Sequence, residues 1–304
     1  MLGSTRSSLA LLAAFCLAPV AAEAGGPELP PVGWSQGNVL LDGDRMHYWR
    51  TGGDKPPLLL LHGYSDDGLC WTEIASSLQG DYDVIMTDAR GHGLSDPPAA
   101  DDSADAQVED IAGVIKALGL EKPIVMGHSM GSASAAWFAA KYPDVPRGVV
   151  LVDPRLVPRD RGGRSDDDDE DPEVRLKKET DWILSRNNRS YEDLLAECLD
   201  NEPGWSRTEC EYWARSKQLY HPGLARRNRG DRPSMKELCE RITAPTLILK
   251  ADAPAQEQAA NQKVADILAA GTLVHVPNAG HSIQRDEPAR FLKEVNAFFD
   301  TLDD

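Results

Sequence analysis

Short apolar runs without alternation recur along this chain, and they constrain its fold more than any other feature. Residues 57–61 read PLLLL, 123–127 read PIVMG, 148–152 read GVVLV and 246–249 read TLIL, with a further run at 82–87. A strand with one solvated face alternates apolar and polar residues, whereas a run that is apolar throughout belongs to a parallel strand covered on both faces. Segments with helical spacing separate the runs: 71–78, then 108–118 with Ile111, Val114, Ile115 and Leu118 in register, then the Ala- and Ser-rich 130–142. This order predicts an α/β fold with a mostly parallel central sheet and helices on both faces. Residues 38–41 and 46–50, around an Asp42-Gly43-Asp44 turn, add two strands ahead of it.

The alternation stops at Pro154 and resumes at Pro245 with a strand at 246–249, a helix at 257–270, a strand at 272–276 and an amphipathic helix at 288–302. The expected organisation is therefore a core of residues 30–154 and 241–304, interrupted by a helical insertion at 155–240. The insertion is expected over the C-terminal ends of the strands, where open α/β sheets bind their ligands. It carries Trp182, Tyr191, Trp205, Tyr212, Trp213 and Tyr220, and an acidic run at 166–171 that reads as a solvated loop at its base.

Residues 1–24 read as a segment outside the fold. Arg6 precedes an apolar run at 9–18, and Ala22-Glu23-Ala24 has the small-x-small form of a cleavage site. This is the pattern of a secretory signal peptide, and the run is shorter than the roughly 20 residues a membrane span needs. The expected location is therefore outside the cytoplasm, after cleavage near Ala24. The remaining chain holds Cys70, Cys198, Cys210 and Cys239. Cys198 and Cys210 are close enough in sequence for a bridge to staple one short segment, and four buried thiols are the alternative. With 32 Lys+Arg against 49 Asp+Glu the formal net charge is -17, which weighs against nucleic acid and anionic membranes as partners.

Gly127-His128-Ser129-Met130-Gly131 directly follows an apolar run and opens a helical segment. A serine on a sharp strand-to-helix turn takes a strained backbone, and glycines two residues to either side let that turn close. The turn exposes the hydroxyl of Ser129 and brings the N–H of Met130 to where an oxyanion would form. A serine needs a base, and Asn278-Ala279-Gly280-His281 places His281 on the loop after the last strand. His62, His92 and His128 lie in glycine-rich loops and are assigned to backbone hydrogen bonds; His47 and His275 fall within strands. The base needs a carboxylate to fix its tautomer. Asp252, after the strand at 246–249, is the preferred acid, with Asp153 after the preceding core strand as its competitor.

Taken together, these motifs resemble the α/β-hydrolase superfamily with a helical cap. The resemblance rests on Leu61-His62-Gly63-Tyr64, the stretch from Asp88 through Arg90-Gly91-His92-Gly93 to Asp96, the serine motif, and Ala279-Gly280-His281 with Asp286-Glu287-Pro288 behind it. It implies that the backbone N–H of Tyr64 is the second oxyanion donor beside Met130, and that His92 is architectural. Serine as nucleophile weighs against haloalkane dehalogenase and soluble epoxide hydrolase relatives. One departure stands out: the family has a glycine just after the strand preceding the acid, whereas this chain reads Leu249-Lys250-Ala251-Asp252.

The expected function is a serine hydrolase acting on a small-molecule carboxylic ester or lactone through an acyl-enzyme. Ser129 is the nucleophile, His281 the base and Asp252 the acid, and this chemistry requires no metal or organic cofactor. Hydrolysis of a carbon–carbon bond or cofactor-free perhydrolysis uses the same residues, and a receptor with little turnover is the alternative from another class.

Overall fold

The computed structural model describes residues 27, 29–99, 101–157, 171–228 and 230–302. The segment 1–24 and all of the acidic run but Asp171 lie outside the described residues. Along the chain run β1 (Ser35–Leu41), β2 (Asp44–Arg50), β3 (Pro57–Leu61), α1 (Thr72–Leu78), β4 (Asp83–Thr87), α2 (Ala106–Ala117), β5 (Ile124–His128), α3 (Met130–Lys141) and β6 (Gly148–Val152). Then come α4 (Pro172–Asn187), α5 (Tyr191–Asn201), α6 (Arg207–Gln218), α7 (Met235–Cys239), β7 (Thr246–Lys250), α8 (Ala255–Ala265), β8 (Gly271–His275), α9 (Ile283–Asp286) and α10 (Pro288–Asp300).

These strands form one sheet in the order β1-β2-β4-β3-β5-β6-β7-β8. β1 and β2 are an antiparallel hairpin, β2 meets β4 antiparallel, and every pairing from β4 to β8 is parallel. The strand period of two divides each apolar run between two cores. Leu58 and Leu60 pack with Trp71, Ile74, Phe291, Val295 and Phe299 on one face. Leu59 and Leu61 pack with Ala135, Ala136, Phe138 and Ala139 of α3 on the other. The alanines of α3 are what allow that helix to lie close to the sheet beneath the serine motif.

Among the described residues, four α-helices lie between β6 and β7. Leu238, Cys239 and Ile242 pack into the same core cluster as α3, so α7 joins the sheet layer although it precedes residue 241. Cys198 and Cys210 form a disulfide between α5 and α6, while Cys70 and Cys239 are buried free thiols.

The inserted helices dock on loops at the C-terminal ends of β3 and β4 through buried charge. Lys217 of α6 donates from Nζ to the Ser65 carbonyl at 2.6 Å and to Asp66 Oδ1 at 2.8 Å. Arg285 of α9 donates to Glu209 Oε2 at 2.9 Å and to Asp66 Oδ2 at 3.2 Å. Arg215 pairs with Asp67, and the His221 N–H donates to the Gly91 carbonyl at 2.8 Å. Burial alone would raise the Asp66 carboxyl, but Arg285 and Lys217 hold it well below the usual carboxylate range.

Glu209 behaves in the opposite sense. Burial drives its carboxyl up to about 7 although it accepts from Arg285. A carboxyl raised in the folded state contributes stability that is complete below its ordinary value of 4.5 and lost as pH rises through about 7. The unaltered protein is therefore expected to lose stability relative to Glu209→Gln across that interval, measured by urea unfolding at pH 5 and pH 8; parallel curves would refute it.

Candidate active site

β5 ends at His128 and α3 begins at Met130, so Ser129 alone makes the turn, with φ 52° and ψ -109°. Positive φ in a residue with a side chain costs about 1–3 kcal/mol and persists only where the surroundings impose it. Two contacts do so here. The Ser129 N–H donates to the Val152 carbonyl at 2.9 Å, extending the β5–β6 ladder to the turn itself. The flanking glycines permit close backbone crossings: a Cβ on Gly127 would lie 2.2 Å from the Gly131 oxygen, and one on Gly131 would lie 2.3 Å from the Leu61 oxygen.

The structure brings Ser129 and His281 together. His281 Nε2 lies 2.9 Å from Ser129 Oγ, and Nδ1 lies 2.6 Å from Asp153 Oδ2. An ionised carboxylate only accepts, so the Nδ1 proton faces Asp153 and Nε2 is left to accept from the serine hydroxyl. The His281 side chain is 59% exposed and that of Asp153 only 11%, so the relay runs from solvent into the protein.

The acid expected at Asp252 is corrected: the carboxylate set against His281 belongs to Asp153. The reason is strand order. β6 is the neighbour of β5, so the residue after β6 stands beside the residue after β5, while β7 lies one strand further out. Asp153 takes φ 44° as it leaves β6. Asp252 is exposed and serves the loop instead, its Oδ2 accepting from the Asn278 N–H at 3.1 Å and its N–H donating to the Ala279 carbonyl at 2.9 Å. It thereby steadies the loop that carries His281.

Burial raises the Asp153 carboxyl, but the hydrogen bonds from His281 and Lys250, with the Lys250 charge, outweigh it and hold the group at about 2. Lys250, the last residue of β7, approaches Asp153 Oδ1 to 2.5 Å. No sequence motif marked Lys250; its only trace was its place where the family pattern has glycine.

The loop after β3 lies against the turn. A Cβ on Gly63 would come within 2.7 Å of His128 Nδ1 and 3.6 Å of Ser129 Cβ, so the backbone leading to Tyr64 passes beside Ser129. Met130 is the first residue of α3, where N–H groups have no intrahelical acceptor and point toward the helix entrance. The expected oxyanion donors, Tyr64 and Met130, thus come from two segments that flank Ser129. The Tyr64 side chain turns away under the inserted helices, its ring stacked on Trp182 at 6.1 Å and its hydroxyl bonded to Glu179 and Arg227.

The loop histidines bond to backbone. His62 Nδ1 donates to the Gly63 carbonyl at 2.8 Å while its Nε2 accepts from the Ala89 N–H at 2.9 Å, and His92 donates to the Arg90 carbonyl at 3.0 Å. Burial lowers His128 to about 4, so its neutral ring donates from Nε2 to the His281 carbonyl at 2.8 Å. That bond pins the backbone of His281.

A sequence profile described as the alpha/beta hydrolase fold matches residues 56–288, from the strand before Tyr64 to beyond His281. The chain belongs to the α/β-hydrolase fold family. It is 29% identical over 259 residues to a 2-(acetamidomethylene)succinate hydrolase of Mesorhizobium japonicum, covering 83% of this chain and 90% of that protein. Over a shorter stretch of 119 residues it is 39% identical to an N-formylmaleamate deformylase of Pseudomonas putida, covering 39% of this chain and 44% of that one. Among solved structures, an E-2-(acetamidomethylene)succinate hydrolase superposes with a TM-score of 0.70 at 23% identity, covering 88% of this chain and 99% of that one. A thermophilic esterase from Thermogutta terrifontis superposes at 0.66 with 24% identity, covering 88% and 99%. These superpositions establish a shared fold.

The glycine contacts give a direct check. Gly131→Ala forces backbone apart at Leu61 and is expected to cost about 1–3 kcal/mol, the range for overpacking a tight site, in urea unfolding. A neutral result would mean that the crossing is looser than 2.3 Å implies.

Proposed function

We propose that this chain is a serine hydrolase that cleaves a carboxylic ester or lactone through an acyl-enzyme. The observation that carries the reading is the continuous hydrogen-bonded line from Ser129 Oγ through both nitrogens of His281 to Asp153. Ser129 Oγ attacks the carbonyl carbon as its proton passes to His281 Nε2. The oxyanion is received by the N–H groups of Met130 and Tyr64, and Asp153 stays ionised against the imidazolium. His281 then gives its proton to the departing alkoxide oxygen, leaving an acyl group on Ser129. A water molecule, deprotonated by His281, attacks that acyl group, and collapse releases the carboxylic acid and returns the proton to Ser129.

The names of the relatives, a hydrolase of 2-(acetamidomethylene)succinate and a deformylase of N-formylmaleamate, support a second reading in which the same residues open a bond other than an ester. The epoxide hydrolase relative from Caenorhabditis elegans, 26% identical over 301 residues, supports the family only, since Ser129 stands at the nucleophile's position. Export after cleavage near Ala24 is part of the same proposal. The Cys198–Cys210 disulfide supports it, because such bridges persist in oxidising compartments. Among the described residues no helix is long and apolar enough to cross a membrane.

The test is hydrolysis of p-nitrophenyl esters from acetate to decanoate, with fluorophosphonate labelling mapped by mass spectrometry. Turnover and labelling are expected at Ser129 and lost in Ser129→Ala. Labelling without ester turnover would favour the second reading, and a folded protein that shows neither would refute a catalytic role. In the same assay Asp153→Asn is expected to lower kcat by about 10³–10⁴-fold, and Asp252→Asn to stay within a few-fold. The reverse ranking would return the acid to Asp252.

A further inference from the structure

The acid of the relay is held from both sides. Asp153 Oδ2 faces His281 Nδ1 at 2.6 Å, while Oδ1 takes the Lys250 ammonium at 2.5 Å and the Ala251 N–H at 3.2 Å. Lys250 also donates to the Pro154 carbonyl at 2.9 Å and is 8% exposed. Strand register produces this pairing. Val152 lies opposite Leu249 in the parallel β6–β7 ladder, and the Asp153 N–H donates to the Leu249 carbonyl at 2.8 Å. The end of β7 therefore brings a cation to an anion that stands at the end of β6.

From this we infer that Lys250 is a positioning residue of the hydrolytic relay: its ammonium fixes the Asp153 carboxylate against His281 and offsets its charge, setting the pH at which His281 serves as base. The inference rests on the reading of Ser129, His281 and Asp153 given above. An aspartate bonded to imidazole through one oxygen is free to rotate about its own axis; here the short contact from the ammonium, beside the longer bond from the Ala251 N–H, holds the second oxygen. The charge has a separate consequence. An isolated carboxylate pulls a proton onto the neighbouring imidazole, and a base already protonated cannot activate serine. The chain's net charge of -17 pushes in the same direction. Lys250 opposes both.

Other charged and titratable groups near this line, His128, Asp66, Arg285 and His275, are the same in every variant below. The His128 ring lies 4.8 Å from that of His281 and is neutral through burial. Asp66 and Arg285 act on His128 and oppose each other there. His275 lies opposite Lys250 in β8 and is bonded through Nδ1 to the Ala251 carbonyl at 2.8 Å. A buried ion pair that merely joined β6 to β7 would affect stability and leave the base alone, so the decisive readout is proton affinity at His281.

The experiment compares the full chain with Lys250→Met, Lys250→Gln and Lys250→Arg. Two readouts are used: the NMR pH titration of the His281 imidazole, assigned with His281→Gln, and the pH dependence of kcat and KM for the best p-nitrophenyl ester. In Lys250→Met the imidazole is expected to take its proton about one pH unit higher, the size of effect one neighbouring unit charge exerts. The acid limb of kcat/KM should move with it, kcat should fall about tenfold through lost orientation, and KM should change less than about twofold. Lys250→Arg should restore the titration, and Lys250→Gln repeats the test if the methionine variant does not fold. A titration unmoved in a folded neutral variant, or unrestored by arginine, overturns the inference. Because NMR needs no turnover, a protein without esterase activity would defeat the ester reading while the titration still decided the role of Lys250.

Discussion

Ser129 is held at φ 52° by the packing of three backbone segments, and the remaining geometry of the site follows from that constraint. The crossing of Gly131 over the end of β3 and the bond from the Ser129 N–H to Val152 lock the turn between β3 and β6. Because the lock is made of backbone, it cannot relax by a change of rotamer. It brings three chain ends to one place: the loop bearing Tyr64, the start of α3 with Met130, and Asp153 at the end of β6. His281 alone comes from far along the chain, and it is fastened by its own carbonyl to His128, the residue before the serine.

The charges divide into two groups with different work. Asp66, Glu209, Lys217 and Arg285 are buried, and Arg215 half-buried, where the inserted helices meet the loops after β3 and before α10. Such pairs cost much desolvation and contribute little net stability, but breaking one leaves an uncompensated buried charge. Their effect is therefore to specify how α6 sits over the sheet. The second group is Asp153 with Lys250, where opposite charges meet at the base's carboxylate and each limits the other. In a chain of net charge -17, Lys250 sets a cation against the carboxylate that faces His281.

Most of the fold was legible in the sequence because buried parallel strands leave a compositional mark. The runs at 57–61, 123–127, 148–152 and 246–249 are observed strands to within a residue or two. The serine turn was legible because its two glycines answer a local steric demand, and His281 because it follows the last strand. The acid was not. Asp153 and Asp252 each follow an apolar run, and spacing along the chain cannot rank them. The missing glycine beside Asp252 was the one hint, and it marked the position of Lys250. The packing of α7 was hidden for a related reason: Leu238 and Cys239 look like any helical apolar pair until their place in the core beside α3 is seen.

Sequence by itself determined the local chemistry: a hydroxyl on a strained turn, an imidazole on an edge loop, apolar strands that must be covered on both faces, and an acidic balance. Each depends on neighbours within a few residues or on composition, and short-range sterics and burial suffice to read it. Tertiary structure decided which carboxylate faces His281, that Lys250 reaches the same carboxylate, and how α6 is tied to Asp66. Those contacts join residues 128, 97 and 151 positions apart, respectively. Their existence rests on strand order and register, which arise only when the whole sheet has assembled.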